Sequence, residues 1–177
     1  MGLDLYIQAR IRKKADNRIV SVSDRTDYEK YGESWLKETE DHDCFEICYW
    51  RKCYDVRDDL IEIVQKYGGE SLDEEEPDYM FSVPKESFPE IYKYLIGRSL
   101  LEEDDYPDSI WDPLDYQAIN LKNAEKILDF LRFFEIDGRH YPKMVVKEEN
   151  FINDEEYELF CKNPEDYVWN FELINSY

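Results

Sequence analysis

The sequence predicts an α+β fold, a mostly antiparallel sheet with helices packed on one face. Three observations predict it. Residues 3–12 alternate with period two: Leu3, Leu5, Ile7, Ala9 and Ile11 point one way, and Asp4, Tyr6, Gln8, Arg10 and Arg12 the other. The chain closes on a similar alternation, with Trp169, Phe171 and Leu173 set against Asn170 and Glu172. Between these ends, apolar residues recur at spacings of three and four over 51–67 and 121–134, which is the period of an amphipathic helix. A length of 177 residues suits one domain, taken as 1–177.

The elements follow in order. After the first strand, the polar run Lys13–Asn17 predicts a turn, and Ile19, Val20 and Val22 a return strand, so that a hairpin opens the fold. Residues 24–43 are polar and predict a surface excursion with one helical turn around Trp35. Residues 44–50 form the next strand. In the helix at 51–67, Cys53, Val56, Leu60, Ile63 and Tyr67 make the buried stripe, and Gly68-Gly69 stops it. Glu62 and Lys66 form an i,i+4 pair on its outer face.

Tyr79–Val83 reads as a short strand. Ser87 and Glu90 match a capping box with Pro89 in the first helical turn, and Gly97 ends that helix. In the helix at 121–134 the stripe is Leu121, Ala124, Leu128 and Leu131, widened by Ile127, Phe130 and Phe134. Lys143–Lys147 predicts a strand, and Asn153 a helix cap followed by favourable acidic residues.

Charge is the outstanding feature. There are 43 Asp and Glu against 22 Lys and Arg, a net of −21. Residues 1–30 carry +2 and the remainder −23. Such a surface repels nucleic acid and anionic membranes and attracts basic proteins. High aromatic content, 16%, argues against disorder. Asp4 and the period-two pattern do not fit a signal-peptide core, and no apolar run is long enough for a membrane span. The expectation is a cytoplasmic protein whose four cysteines are reduced thiols.

No catalytic motif is present. The six glycines form neither a dinucleotide-binding fingerprint nor a phosphate loop, and no HExxH, EF-hand or GxSxG is found. No cofactor and no catalytic residue are therefore assigned. The metal candidate is His42, Cys44, Cys48 and Cys53, whose imidazole and thiols suit zinc. On a strand Cys44 and Cys48 lie too far apart for one tetrahedral ion, and buried structural cysteines are the favoured reading. An enzyme or metal protein using His42, Cys44 and nearby carboxylates is kept as an alternative.

Two acidic runs are candidate partner-binding surfaces. One is Glu74, Glu75, Glu76 and Asp78, the other Glu102, Glu103, Asp104 and Asp105. Carboxylates fixed on a scaffold imitate the charge spacing of a phosphate backbone and fit a basic groove. Acidic runs of this kind are more commonly solvated loops. Trp50 and Arg51 form a third candidate, since Trp and Arg are preferred interface anchors, with a packed Trp and a solvated base as the plainer reading. A protein-interaction module centred on them is a further alternative.

Two segments carry a resemblance. Met1-Gly-Leu-Asp-Leu-Tyr6 resembles the MGLDMY start of a family of small proteins encoded by phages and prophages. Ile47-Cys-Tyr-Trp-Arg-Lys52, leading into a helix, is similar to that family's GYWRK segment. The family often carries a His in the following helix, and this chain has none there. The resemblance implies a bacterial cytoplasmic setting. Together with the charge, it gives an expected function: a DNA-mimicking inhibitor of a host nucleic-acid-processing or defence protein, of the anti-CRISPR or anti-restriction type.

Overall fold

The computed structural model describes residues 3–39, 41–101, 112–135 and 141–176. The fold is α+β. Among the described residues there are seven α-helices and a four-stranded antiparallel sheet. The strands are β1 (Asp4–Lys13), β2 (Phe45–Arg51), β3 (Met80–Ser82) and β4 (Tyr167–Ser176), in the spatial order β2-β1-β4-β3. In the register of β3 on β4, Phe81 stands opposite Leu173. The helices are α1 (Arg25–Tyr31), α2 (Glu33–Glu38), α3 (Tyr54–Lys66), α4 (Phe88–Ser99), α5 (Pro113–Glu135), α6 (Pro142–Val145) and α7 (Asp154–Lys162). None of the described helices is long and apolar enough to cross a membrane.

The chain clusters into two compact units. The first comprises Met1–Ile7, Ile47–Leu128 and Phe171–Tyr177, and the second Gln8–Glu46 and Asp129–Asn170.

In the first unit the inward residues of β1, namely Leu3, Leu5 and Ile7, are fully buried, as their alternation requires. α3 buries Val56, Leu60, Ile63 and Val64, and α4 buries Phe88, Ile91 and Leu95. Phe88 meets Phe171 of β4 with ring centroids 4.8 Å apart. Phe171 to Asn175 are all buried, so this half of β4 shows no alternation. Side chains of this kind each contribute roughly 1.5–3 kcal/mol on leaving water.

The second unit is organised around Phe160 of α7. Its ring lies 5.3 Å from Phe151, 5.2 Å from Tyr167 and 5.8 Å from Trp169. Glu156, one turn earlier, is buried and therefore needs partners. Arg18 supplies one at 2.6 Å and Lys13 another at 2.9 Å. Arg25 donates to the carbonyls of Phe151 and Glu148 and pairs with Asp154, joining α1 to the start of α7.

Four expectations are corrected. The return strand at 19–22 reduces to isolated bridges, Arg12 with Ile19 and Ser21 with Phe151. Residues 143–147 do not form a strand, because Pro142 opens the short helix α6. The capping box at Ser87 does not form. Ser87 has helical backbone angles and its hydroxyl donates to Pro84 O, while Glu90 turns to Lys66. Lys66 thus bonds to Glu90 at 3.0 Å while still sensing the charge of Glu62 one turn before it, the expected i,i+4 neighbour. Finally, α5 begins at Pro113, and its buried face is rotated from the expected stripe: Leu121 is 45% exposed, whereas Tyr116, Asn120, Asn123, Ala124, Ile127, Phe130 and Phe133 are buried. Asn153, by contrast, caps α7 as expected, accepting from Glu156 N at 2.9 Å.

Candidate functional site

Two features of the first unit stand out as candidate sites. The first is the acidic turn at 73–78. A backbone turn crowded with carboxylates needs local ties, because its side chains repel one another. Asp73 provides them: its Oδ1 accepts the N–H groups of Glu75 at 2.9 Å and Glu76 at 3.0 Å. The Ser71 hydroxyl donates to Asp73 O. At the far end Asn175 Nδ2 donates to Asp78 O at 2.6 Å, and Asn175 N to Tyr79 O at 2.8 Å. Glu74, Glu75, Glu76 and Asp78 are all exposed on this anchored backbone. Glu102, Glu103, Asp104 and Asp105 lie outside the described residues.

The second feature is a cleft of about 580 Å³ where the end of β2 meets the first turns of α5. It lies within the size range of small-ligand sites. Its position follows from a buried polar arrangement. Trp50 Nε1 donates to Asn120 Oδ1 at 3.0 Å. Asn123, one turn further along α5, accepts from Tyr49 N at 3.2 Å and donates to Tyr49 O at 2.8 Å. These three bonds fix the start of α5 against β2. Trp50 is fully buried, so its side chain offers no surface to a partner. Its burial agrees with the plainer reading, a packed Trp, and takes its side chain out of the candidate partner surface. Arg51 is exposed and lines the cleft with Lys52.

Lys52 has φ 58°, a left-handed conformation that non-glycine residues adopt uncommonly. Its N–H donates to Leu3 O at 2.7 Å, which holds the turn between β2 and α3. Lys122 reaches the same cleft from α5, and Asp112 and Asp115 line its acidic part. Asp112 also ties down the start of α5, its Oδ1 accepting from Leu114 N and Asp115 N.

Beside the cleft, Tyr116 donates to Asp55 Oδ2. Arg98 ion-pairs with Asp55 at 3.7 Å and with Asp59 at 3.1 Å, and Tyr94 donates to Asp59 at 2.6 Å. Asp55 and Asp59 stand one turn apart on α3, as do Tyr94 and Arg98 on α4, so the network locks three helices together. Burial, and then the hydrogen bond to a carboxylate, push both tyrosine hydroxyls well above their ordinary range. They remain donors at any physiological pH. The Cys53 thiol in the cleft wall is pushed up to about 12 by burial and by Asp55. It is therefore a poor nucleophile, since reactivity belongs to the thiolate.

The metal candidates are placed separately. The His42 ring stacks on Trp35 at 3.9 Å. Cys44 accepts from Arg10 at 2.9 Å and donates to Asp43. Cys48 faces Asn123 O, and Cys53 faces Arg51 O. Among the described residues no group of three or more His, Cys, Asp or Glu is placed to hold a metal ion.

Of the residues singled out from sequence, the cleft contains Arg51 and Cys53 and adds Lys52 and Lys122 to them. The usable signal was Asn120 and Asn123, two polar residues one turn apart in an otherwise apolar helix face. No protein-family model, curated protein or solved structure matches this chain.

Proposed function

We propose that this protein is a non-enzymatic inhibitor that binds a basic nucleic-acid-processing or defence protein in the cytoplasm of a bacterial host. It occupies the groove that would otherwise hold phosphates, as anti-CRISPR and anti-restriction inhibitors of the mimic type do. The observation that supports this reading is the anchored acidic turn. Glu74, Glu75, Glu76 and Asp78 are exposed on backbone that Asp73, Ser71 and Asn175 already hold in place. Carboxylates presented this way bind with less ordering cost than those of a floppy tail. The net charge of −21 adds long-range attraction for a basic partner. Glu102, Glu103, Asp104 and Asp105 supply a second acidic segment to the same end.

The test is affinity capture from nuclease-treated bacterial lysate, run in parallel with the variant E74K/E75K/E76K/D78K. The native protein retains a nucleic-acid-binding protein in low salt and releases it at about 0.5 M, where exposed charges are screened within a few ångströms. The variant fails to retain it. A captured protein held equally by the variant, or a salt-insensitive complex, overturns the reading.

A further inference from the structure

The cleft beside β2 reverses the sign of the protein around it. Across the whole chain, carboxylates outnumber cations by 43 to 22. Around the cleft, Arg51, Lys52 and Lys122 face Asp112 and Asp115, an excess of one positive charge. The pairing pattern sharpens the contrast. Elsewhere among the described residues, five arginines are matched to acids, Arg10 to Asp43, Arg18 to Glu156, Arg25 to Asp154, Arg57 to Asp58 and Arg98 to Asp59, while Arg12 and Arg132 stand singly. Among the described residues, the side chains of Arg51, Lys52 and Lys122 have no such partner. In a chain so rich in carboxylates, three unmatched cations around one concavity leave a position for an anion from outside.

The rest of the lining describes what that anion is attached to. Ile119 and Ala118 of α5 and the ring of Tyr49 supply an apolar wall. Tyr116 and Cys53 complete the wall with groups that stay neutral, their hydroxyl and thiol protons retained by burial. A volume of about 580 Å³ holds a ring-sized body and exceeds what a bare inorganic anion needs. The scaffold is rigid, because Trp50, Asn120 and Asn123 fix both walls and the Asp55–Arg98–Asp59 network braces the helices behind them.

We propose that this cleft binds a small organic oxyanion, a phosphate or carboxylate carried on an apolar ring-sized body. The oxyanion sits among Arg51, Lys52 and Lys122, with Arg51 offering the fork geometry that suits two oxygens. The body lies against Ile119, Ala118 and Tyr49. This site is independent of the acidic turn and survives the failure of the inhibitor reading.

The experiment follows the backbone amides of the isotope-labelled full chain by NMR during titration with phenyl phosphate, benzoate, inorganic phosphate and phenol. Phenyl phosphate or benzoate is expected to give saturable shifts at Lys52, Ile119 and Lys122, and the tighter of the two identifies the preferred oxyanion. Inorganic phosphate and phenol each bind at least ~10-fold more weakly, since each lacks one half of the contact. R51E/K52E/K122E loses the binding, and the milder K122Q weakens it while leaving distant amides unmoved. The absence of saturable cleft shifts up to about 10 mM phenyl phosphate and benzoate overturns the proposal. So does equal binding by phenol or inorganic phosphate, or undiminished binding by the triple variant.

Discussion

The acidic turn and the cleft belong to the same unit and handle charge in opposite ways. The turn concentrates like charges and stabilises them through the backbone: Asp73 and Asn175 hold the main chain, and the carboxylates themselves stay in water. The cleft places its charged groups on a deeply buried base, in which Trp50, Asn120 and Asn123 are nearly inaccessible. The two regions differ in what lies beneath them. The turn is tied down by its own Asp73 and, at one end, by the buried Asn175, whereas the cleft is held along both walls by buried side chains.

The two regions should contribute very differently to folding. The largest effect is expected for Trp50→Ala, which empties a fully buried site and removes the bond to Asn120. It should destabilise the protein by about 3–5 kcal/mol in denaturant unfolding. Asn123→Ala removes both bonds to Tyr49 and leaves two backbone groups wanting partners, for roughly 1–3 kcal/mol. Asp73→Ala, in the turn, should cost no more than about 1 kcal/mol. A turn substitution as costly as the Trp50 change would erase the distinction.

Alkaline pH sharpens it further. The folded Cys53 thiol titrates near 12, above its ordinary value of 9.0, and the Tyr94 and Tyr116 hydroxyls are also raised. Over that interval the folded state holds protons that the unfolded state has lost. Stability contributed by these groups is complete below pH 9 and declines as pH climbs through 9 to 12. The unfolding midpoint should fall over that window, and Cys53→Ala should remove part of the fall. The Glu90 carboxyl sits at the other end of the scale. Hydrogen bonds from Tyr67 and then Lys66 lower it, so its contribution is present above the ordinary carboxylate range and lost as pH drops below it. Being partly open to solvent, that group should move the acid side of the stability profile only slightly.

Local patterns in the sequence foretold much of the fold. The spacing of Val56, Leu60 and Ile63 identifies α3, and the alternation from Leu3 to Ile11 identifies β1, because each depends on neighbours in the chain. Asn153 caps α7 for the same reason. The face of α5 was misjudged because hydrophobicity alone pointed to Leu121, while Asn120 and Asn123 are buried by hydrogen bonds to β2, some seventy residues away. The cleft has the same character. Arg51 stands out in the sequence, but nothing local links it to Lys122, which only the docking of α5 brings to the same concavity. The acidic turn, by contrast, is contiguous, so Glu74, Glu75, Glu76 and Asp78 were visible at once. What the sequence did not reveal was that Asp73 organises them.

Asn123 has one more consequence. β2 is the outermost strand on its side of the sheet, and such a strand exposes backbone groups that a strand from another molecule can pair with. The amide of Asn123 occupies the N–H and C=O of Tyr49 much as a neighbouring strand would. One side chain thus fills that position of the edge, and Asn123→Ala is expected to show concentration-dependent assembly, checked by light scattering, as well as lower stability.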